Sequence, residues 1–167
     1  YGMQMAVIEF ARNVLKLKDA SSEEVDKKTP NPVIHLMEEQ KENIKNGDYG
    51  GTIRLGGWPC KIDKGSLLEE MYKKYSNELF QNLPVVQERH RHRYEFNNDY
   101  IKEFEKAGLI LSGKSPDGKL IEAVELPKSV HPFFIGTQYH PELKTRFLAP
   151  HPLFMGFVKA CIKNSKK

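Results

Sequence analysis

The feature that most constrains this 167-residue chain is a short apolar run that ends in a histidine and a carboxylate. Residues 131–137 are rich in aromatic and β-branched side chains, which is typical of a strand covered on both faces, as in a parallel sheet. Residues 138–142 follow and read Gln-Tyr-His-Pro-Glu. In open α/β sheets the chemistry lies at the carboxyl ends of strands. The pattern therefore predicts that His140 and Glu142 lie at the functional edge of an α/β sheet.

The pairing of His140 with Glu142 suits proton transfer. A histidine can act as a general base because its unperturbed pKa lies near physiological pH. A neighbouring carboxylate can fix the tautomer of the ring and stabilise the imidazolium that forms. The alternative is a loop that happens to contain His-Pro-Glu, so the remainder of the chain has to decide between the two.

Composition limits the possible classes of protein. Hydrophobic residues make up 39% of the chain and aromatic residues 10%, which is ordinary for one well-buried core. The formal charge of +4 does not by itself imply a nucleic-acid partner. No apolar window approaches the ~18 residues that span a bilayer and no basic-then-apolar pattern occurs, so neither a membrane-spanning segment nor a secretion signal is expected. Cys60 and Cys161 lie outside any metal-ligand spacing, which fits a reducing cytoplasm, and both are expected to be buried.

Periodicity and turn residues predict alternating helices and strands. Residue 66 is expected to be the N-cap of its helix, and the turn at 115–118 to close a hairpin. The last helix is expected to bury Phe154, Phe157, Val158 and Cys161. The predicted helices are 3–18, 66–75, 98–107 and 153–163; the predicted strands are 33–37, 50–57, 58–62, 109–111 and 120–126; and residues 38–49 are expected to form a surface loop.

Residues 88–96 alternate cations with rings. If the segment is extended, Arg89, Arg91 and Arg93 share one face, and His90, His92, Tyr94 and Phe96 share the other. A solvated edge strand explains the charge but not the alternation. A metal site is disfavoured because cations flank both histidines. An anion-binding or ion-pairing strand is favoured, because guanidinium groups bind carboxylates through two parallel hydrogen bonds.

Several stretches of the chain resemble a known family. Residues 1–4, Tyr-Gly-Met-Gln, resemble the residues that follow the cysteine in the nucleophile elbow Gly-x-Cys-x-Gly-x-Gln of class I glutamine amidotransferases, and residues 138–142 resemble their catalytic His-Pro-Glu segment. Residues 50–56, 88–97 and 151–157 are similar to stretches of one branch of that class, the CTP synthase family. The resemblance extends over nearly the whole chain.

The resemblance implies a flavodoxin-like α/β fold, with an open, mostly parallel twisted sheet that has helices on both faces and is incomplete at the N-terminus. Residues 1–167 would be the C-terminal portion of a glutamine amidotransferase domain, preceded in the whole protein by the first part of that domain and by a synthase domain. The nucleophilic cysteine would immediately precede Tyr1. Cys60 and Cys161 are not expected to replace it, so the chain alone is expected to release no ammonia from glutamine.

The resemblance also implies roles for individual residues. The cysteine thiolate would attack the side-chain amide of L-glutamine to form a thioester, with His140 as proton carrier and Glu142 as its orienting partner. The backbone N–H of Tyr1 would be one oxyanion donor. Glu24 would pair with the substrate ammonium and Arg93 with its carboxylate, although Ser21 and Glu24 also match the spacing of a helix-capping box. The implied substrate-binding residues are Tyr1, Gly2, Met3, Gln4, Glu24 and Arg93.

The same resemblance implies partners outside these residues. The ammonia would reach the synthase domain, which would use ATP and Mg to aminate UTP to CTP, with GTP as allosteric activator and a homotetrameric assembly. No cofactor or metal is expected in residues 1–167, and neither nucleic acid nor a membrane is expected as a partner. The alternatives are another class I glutamine amidotransferase, a catalytically silent glutaminase-like interaction module, and a nucleic-acid-binding domain that uses the arginine strand.

Overall fold

The structure is a computed structural model that describes residues 1–36, 54–77 and 83–166. The loop predicted at 38–49 and the start of the strand predicted at 50–57 lie outside the described residues.

The first helix, α1, spans Gly2–Asn13 and buries Met3, Val7 and Ala11 on one face. The helical pattern had predicted an end near residue 18. The helix ends earlier, and Lys16 and Asp19 beyond it have φ angles of 59° and 62°. A left-handed backbone cannot continue a right-handed helix, so the chain turns here into the first strand.

The described strands form two sheets. A three-stranded sheet has the order β1 (Ala20–Ser22), β2 (Asn31–Leu36), β5 (Tyr94–Phe96). A five-stranded sheet has the order β4 (Val85–His92), β3 (Arg54–Ile62), β6 (Ile110–Lys114), β7 (Ile121–Glu125), β8 (Ile135–Thr137). The α/β class is confirmed, but strand direction differs from expectation. Among the described residues only β1 and β2 pair in parallel, and the other pairings are antiparallel.

Two predicted strands are one in the structure. Residues 54–57 and 58–62, predicted as parts of two separate strands, run without a break as β3. Gly56 has a φ of 91°, a conformation that glycine adopts without steric cost, and the strand continues through it. The strand predicted at 131–137 is shorter and less buried than expected, because β8 covers only Ile135–Thr137 and lies half-buried at a sheet edge.

Several local predictions are confirmed. Helix α2 spans Leu67–Tyr75, and the Ser66 hydroxyl accepts a hydrogen bond from the backbone N–H of Glu69 at 3.0 Å. A 3-10 turn at Asn98–Tyr100 leads into α3, Ile101–Lys106, and Gly108 follows it with a φ of 95°. Strands β6 and β7 form the predicted hairpin.

The last helix, α4, spans Pro152–Asn164 but buries a different face from the one predicted. Its buried residues are Pro152, Leu153 and Gly156. A Cβ atom at Gly156 would lie 2.2 Å from Met71 Sδ, so the glycine allows α4 to approach α2 closely. The predicted stripe was wrong: Phe154, Phe157, Val158 and Cys161 are all exposed.

The buried apolar residues form two clusters. One joins α1 and α3 to the three-stranded sheet and to β6 and β7, and it includes Val7 and Phe104. The other joins α2 and the five-stranded sheet and includes Tyr139. No helix within the described ranges is long and apolar enough to cross a bilayer.

Candidate active site

His140 and Glu142 form a close pair at the end of β8. The Nδ1 atom of His140 lies 2.6 Å from Oε1 of Glu142. Pro141 occupies the first position of a 3-10 turn, Pro141–Leu143, that folds the glutamate back beside the histidine ring. Because a carboxylate only accepts, the ring Nδ1 is the donor, and Nε2 is the nitrogen left to exchange a proton with a substrate. Burial alone would raise the pKa of Glu142, but the hydrogen bond with His140 lowers the pKa below its usual value.

The backbone around His140 is held on both sides. The N–H of His140 donates to the carbonyl of Arg89 in β4 at 2.8 Å, and the N–H of Gln138 donates to the carbonyl of Glu122 at 2.8 Å. Between them, Tyr139 is buried and its hydroxyl lies 3.2 Å from that of Tyr72 in α2. The histidine is therefore fixed by the five-stranded sheet and by α2.

A glycine brings the start of α1 to the same place. A Cβ atom at Gly136 would lie 3.2 Å from both Met3 Cα and Val124 Cγ2, a distance that would force a neighbour to move. The bare backbone of β8 therefore lets the first turn of α1 lie directly against it. Tyr1 and His140 consequently line the same two cavities.

The first cavity, of about 210 Å³, gathers most of the predicted substrate-binding residues. It brings Glu24 and Arg93 together with His140, although they are far apart in sequence. Its other members had been given no part in substrate binding, because nothing local shows that a side chain becomes functional through tertiary contact. The cavity is lined by Tyr1, Met3, Gln4, Glu24, Arg91, His92, Arg93, Tyr94, Thr137, Gln138 and His140.

Charges of both signs face this cavity. Glu24 contributes a carboxylate, and Arg91 and Arg93 contribute guanidinium groups. The alternation predicted for the arginine strand is present: Glu88 and His90 are buried and all three arginines are exposed. The capping-box interpretation of Glu24 was wrong, because Ser21 lies in β1 and Glu24 follows that strand in a turn, where its N–H donates to Ser22 Oγ at 3.1 Å.

The second cavity, of about 660 Å³, lies between α1, β8 and α4. Gly2, Phe133, Phe154 and Glu142 contribute to its largely apolar wall. Gly2 lines this cavity and not the first one, and a Cβ atom there would meet nothing within 4 Å. Its assignment to the substrate-binding residues stays a prediction.

A cluster of buried charges and rings lies behind the first cavity. Arg54 donates to Glu122 at 2.6 Å and to Glu95 at 3.4 Å. Burial, and secondly the charge of Arg54, lower the pKa of His90 to about 2 and of His92 to about 3, so both rings are neutral. The Nδ1 atom of His90 lies 2.8 Å from the Nε2 atom of His92. Within the described ranges, no group of three or more His, Cys, Asp or Glu side chains is arranged to hold a metal ion.

Neither cysteine of the chain lines the two cavities. Cys60 is fully buried in β3, and burial raises the pKa of its thiol well above the usual range. Cys161 is exposed on α4. Neither Cys60 nor Cys161 is therefore placed to act as a nucleophile beside His140.

An α/β fold that holds a His–Glu pair beside the start of a helix suits a hydrolytic site in which a base with an orienting carboxylate activates a nucleophile. Residues 1–160 match the family model "Glutamine amidotransferase class-I". The chain belongs to the class I glutamine amidotransferase family, and the fold expected from the resemblance is confirmed in that sense.

Among known proteins, the chain is similar to CTP synthases. It is 54% identical to the CTP synthase of Cytophaga hutchinsonii over 159 residues, which are 95% of this chain. It is 49% identical to the CTP synthase of Aquifex aeolicus over 166 residues, which are 99% of this chain. It spans only 27% and 29% of the lengths of those relatives. A solved structure of the glutaminase domain of Trypanosoma brucei CTPS with bound acivicin superposes with a TM-score of 0.82 at 35% identity, covering 97% of this chain and 58% of that one. The resemblance to the CTP synthase glutaminase domain is therefore confirmed.

Proposed function

We propose that residues 1–167 form the C-terminal portion of the glutaminase domain of a CTP synthase and supply the proton-transfer pair and the substrate-binding wall for hydrolysis of L-glutamine. The observation that carries this proposal is the shared cavity: His140, paired to Glu142 at 2.6 Å, lines the same space as Tyr1, Glu24 and Arg93. A proton carrier beside one carboxylate and two guanidinium groups suits an amide substrate that is also a zwitterion.

The nucleophile in this proposal is a cysteine immediately before Tyr1 in the full-length protein. His140 takes the thiol proton through Nε2, and the thiolate attacks the side-chain amide carbon of glutamine. The tetrahedral oxyanion accepts a hydrogen bond from the backbone N–H of Tyr1. His140 then gives its proton to the leaving nitrogen, and ammonia departs from the glutamyl thioester. Water, deprotonated by His140, attacks the thioester and releases glutamate and the thiol.

Substrate recognition uses charges at opposite ends of the amino-acid group. Glu24 pairs with the α-ammonium, and Arg93 pairs with the α-carboxylate through a charge-assisted hydrogen bond. Met3 and Gln4 also line this cavity. Gly2 contributes through the turn that leads from the nucleophile into α1.

The ammonia serves a synthase domain of the same protein in this proposal. That domain uses ATP and Mg to activate UTP for amination to CTP, GTP activates the enzyme allosterically, and the protein works as a cytoplasmic homotetramer. Support comes from the similarity to CTP synthases, which are more than three times as long as this chain, since it spans 27% of the Cytophaga protein.

The test is His140→Ala in the full-length protein. CTP formation from glutamine should be lost, while CTP formation from added ammonia should persist because that reaction bypasses the glutaminase site. His131→Ala is the matched control, because His131 is exposed and lines neither cavity. If the His140 variant loses both activities while the control variant keeps them, the proposal that glutamine hydrolysis and CTP formation use separate sites is contradicted.

The nucleophile has a separate test. The residue before Tyr1 in the full-length protein should be cysteine, and its replacement by alanine should abolish ammonia release from glutamine. Mass spectrometry of the protein during turnover should show a glutamyl adduct on the peptide that contains this residue. Any other residue at that position contradicts the thioester mechanism.

A further inference from the structure

The side chain of Tyr1 contacts the carboxylate that we assign to the substrate ammonium. Its hydroxyl donates a hydrogen bond to Glu24 Oε1 at 3.0 Å. Both residues line the first cavity, beside Tyr94. Tyr1 would follow the nucleophile directly, so this hydrogen bond links the catalytic turn to the substrate-binding wall.

The contact leaves one oxygen of Glu24 available to a ligand. The backbone N–H of Glu24 is fixed by Ser22 Oγ at 3.1 Å, and Tyr1 holds Oε1. To the residues that the structure describes, the second carboxylate oxygen makes no hydrogen bond. A carboxylate held through one oxygen can present the other to an ammonium group of a ligand in the cavity.

The phenol remains a donor in the neutral range. The hydrogen bond to Glu24, followed by the charge of Glu24, raises the pKa of the Tyr1 hydroxyl above its ordinary value. Glu24 is exposed, and a solvated glutamate loses conformational entropy when a ligand orders it. The hydrogen bond from Tyr1 orders the carboxylate and so removes part of that cost before the ligand arrives.

We propose that the Tyr1 hydroxyl is a positioning residue that orients Glu24 and thereby sets the preference of the cavity for ligands with a free α-ammonium. The inference rests on the proposed function, since it concerns the same cavity and the same substrate. It adds a side-chain role for Tyr1 to the backbone role already assigned. The hydroxyl acts on recognition of one group of the ligand, and not on the bond that breaks.

The experiment compares two competitive ligands that differ only in the ammonium group. L-Glutamate carries it and glutarate lacks it. In the full-length protein, Tyr1→Phe should raise the inhibition constant of L-glutamate about three- to tenfold, the range of an ordinary hydrogen bond, because Tyr1 acts on the ligand only through the exposed Glu24. The inhibition constant of glutarate should stay the same, because that ligand makes no use of Glu24. Equal changes for both ligands, or none for L-glutamate, overturn the proposal.

A double-mutant cycle gives the second measurement. Glu24→Gln should weaken L-glutamate binding, and adding Tyr1→Phe in that background should cause little further loss, because the two residues act through one contact. Additive effects contradict the proposal. Tyr100→Phe is the matched control, since its side chain packs against the apolar core and lines neither cavity. If wild-type protein releases no ammonia from glutamine, the proposed function fails instead, whatever the two inhibition constants do.

Discussion

Gln4 and Gln138 donate side-chain hydrogen bonds to the same acceptor, the carbonyl oxygen of Tyr94, at 3.1 and 3.2 Å. Gln4 belongs to the first turn of α1, and Gln138 directly precedes the segment that carries His140. Tyr94 follows Arg93, the residue assigned to the substrate carboxylate. One carbonyl therefore ties together the catalytic turn, the histidine segment and the cationic end of the cavity.

Gln138→Met should loosen this arrangement without changing the volume of the side chain greatly. The Tyr94 carbonyl loses one of its two donors, and a net loss of about 1 kcal/mol is typical for one hydrogen bond. We expect kcat/KM for glutamine hydrolysis to fall about three- to tenfold, since 1.4 kcal/mol corresponds to a factor of about ten. Gln87→Met is the control, because Gln87 is exposed and lines neither cavity. The measurement is the steady-state kcat/KM of both variants. Equal kcat/KM values for the Gln138 and Gln87 variants contradict a role for Gln138.

Arg93→Ala should raise KM for glutamine more than it lowers kcat. The guanidinium group binds the α-carboxylate equally in the ground state and the transition state, so its loss removes uniform binding. A loss of one charge-assisted hydrogen bond corresponds to roughly 1.5–3 kcal/mol, or a ten- to hundredfold rise in KM. Arg89→Ala controls for removal of a nearby arginine, because Arg89 lies in β4 and lines neither cavity. An unchanged KM in the Arg93 variant removes this residue from the binding site.

Glu142→Gln should lower kcat with little change in KM. The variant keeps the shape of the side chain but cannot stabilise the imidazolium, and its amide can turn the His140 ring to the wrong tautomer. The equivalent change in a buried triad costs about 10⁴-fold in kcat. Glu142 is more exposed, with 57% of its side chain accessible, so we expect about 10²-fold. Pre-steady-state ammonia release is the measurement, and full activity of the variant contradicts the orienting role.

Local sequence patterns predicted the local structure well. The cap at Ser66, the turn at 115–118 and the alternation of residues 88–92 depend on hydrogen bonds or side-chain periodicity within a few residues, and all three are present. The His140 and Glu142 pair is local in the same way, because a single 3-10 turn brings the two side chains together.

Features set by distant contacts were predicted poorly. The buried face of α4 depends on which side of the helix can approach Met71. The side with Gly156 is buried, and Phe154 and Phe157 are exposed, because a backbone without a side chain can approach most closely. The direction of the strands depends on pairing partners that composition does not identify. The joint role of Gln4 and Gln138 could not be found from either residue, since their common acceptor lies on a third segment.

The two cysteines should react very differently with alkylating reagents. Cys161 is exposed, whereas Cys60 is buried and its thiol has a raised pKa, so little thiolate forms at neutral pH. Brief treatment of the native protein with iodoacetamide should modify Cys161 and leave Cys60 intact, as measured by peptide mass mapping. Treatment in denaturant should modify both. Modification of Cys60 in the native state contradicts the burial of β3.

Glu95 should make the protein less stable as the pH rises. Burial raises the pKa of this carboxyl to about 8, although the charge of Arg54 opposes the shift. In the unfolded chain a glutamate has a pKa of about 4.3, so between these values the folded state keeps a proton that the unfolded state has lost. The free energy of unfolding therefore falls as the pH rises through this window, and the contribution of Glu95 is fully present only below it.

Glu95→Gln should flatten that dependence, because the amide does not titrate. Arg54 keeps its shorter contact with Glu122 at 2.6 Å, so the variant does not leave the guanidinium unpaired. Burial also raises the pKa of Glu122, so part of the slope should remain. Melting temperatures measured at pH 6 and pH 9 should differ less in the variant than in the wild type. The control is Glu105→Gln, at an exposed position on α3, which should show the same difference between the two melting temperatures as the wild type. An equal difference in the wild type and the Glu95 variant means that Glu95 is ionised in the folded protein throughout this range, and that its charge is balanced by Arg54 more completely than the buried geometry indicates.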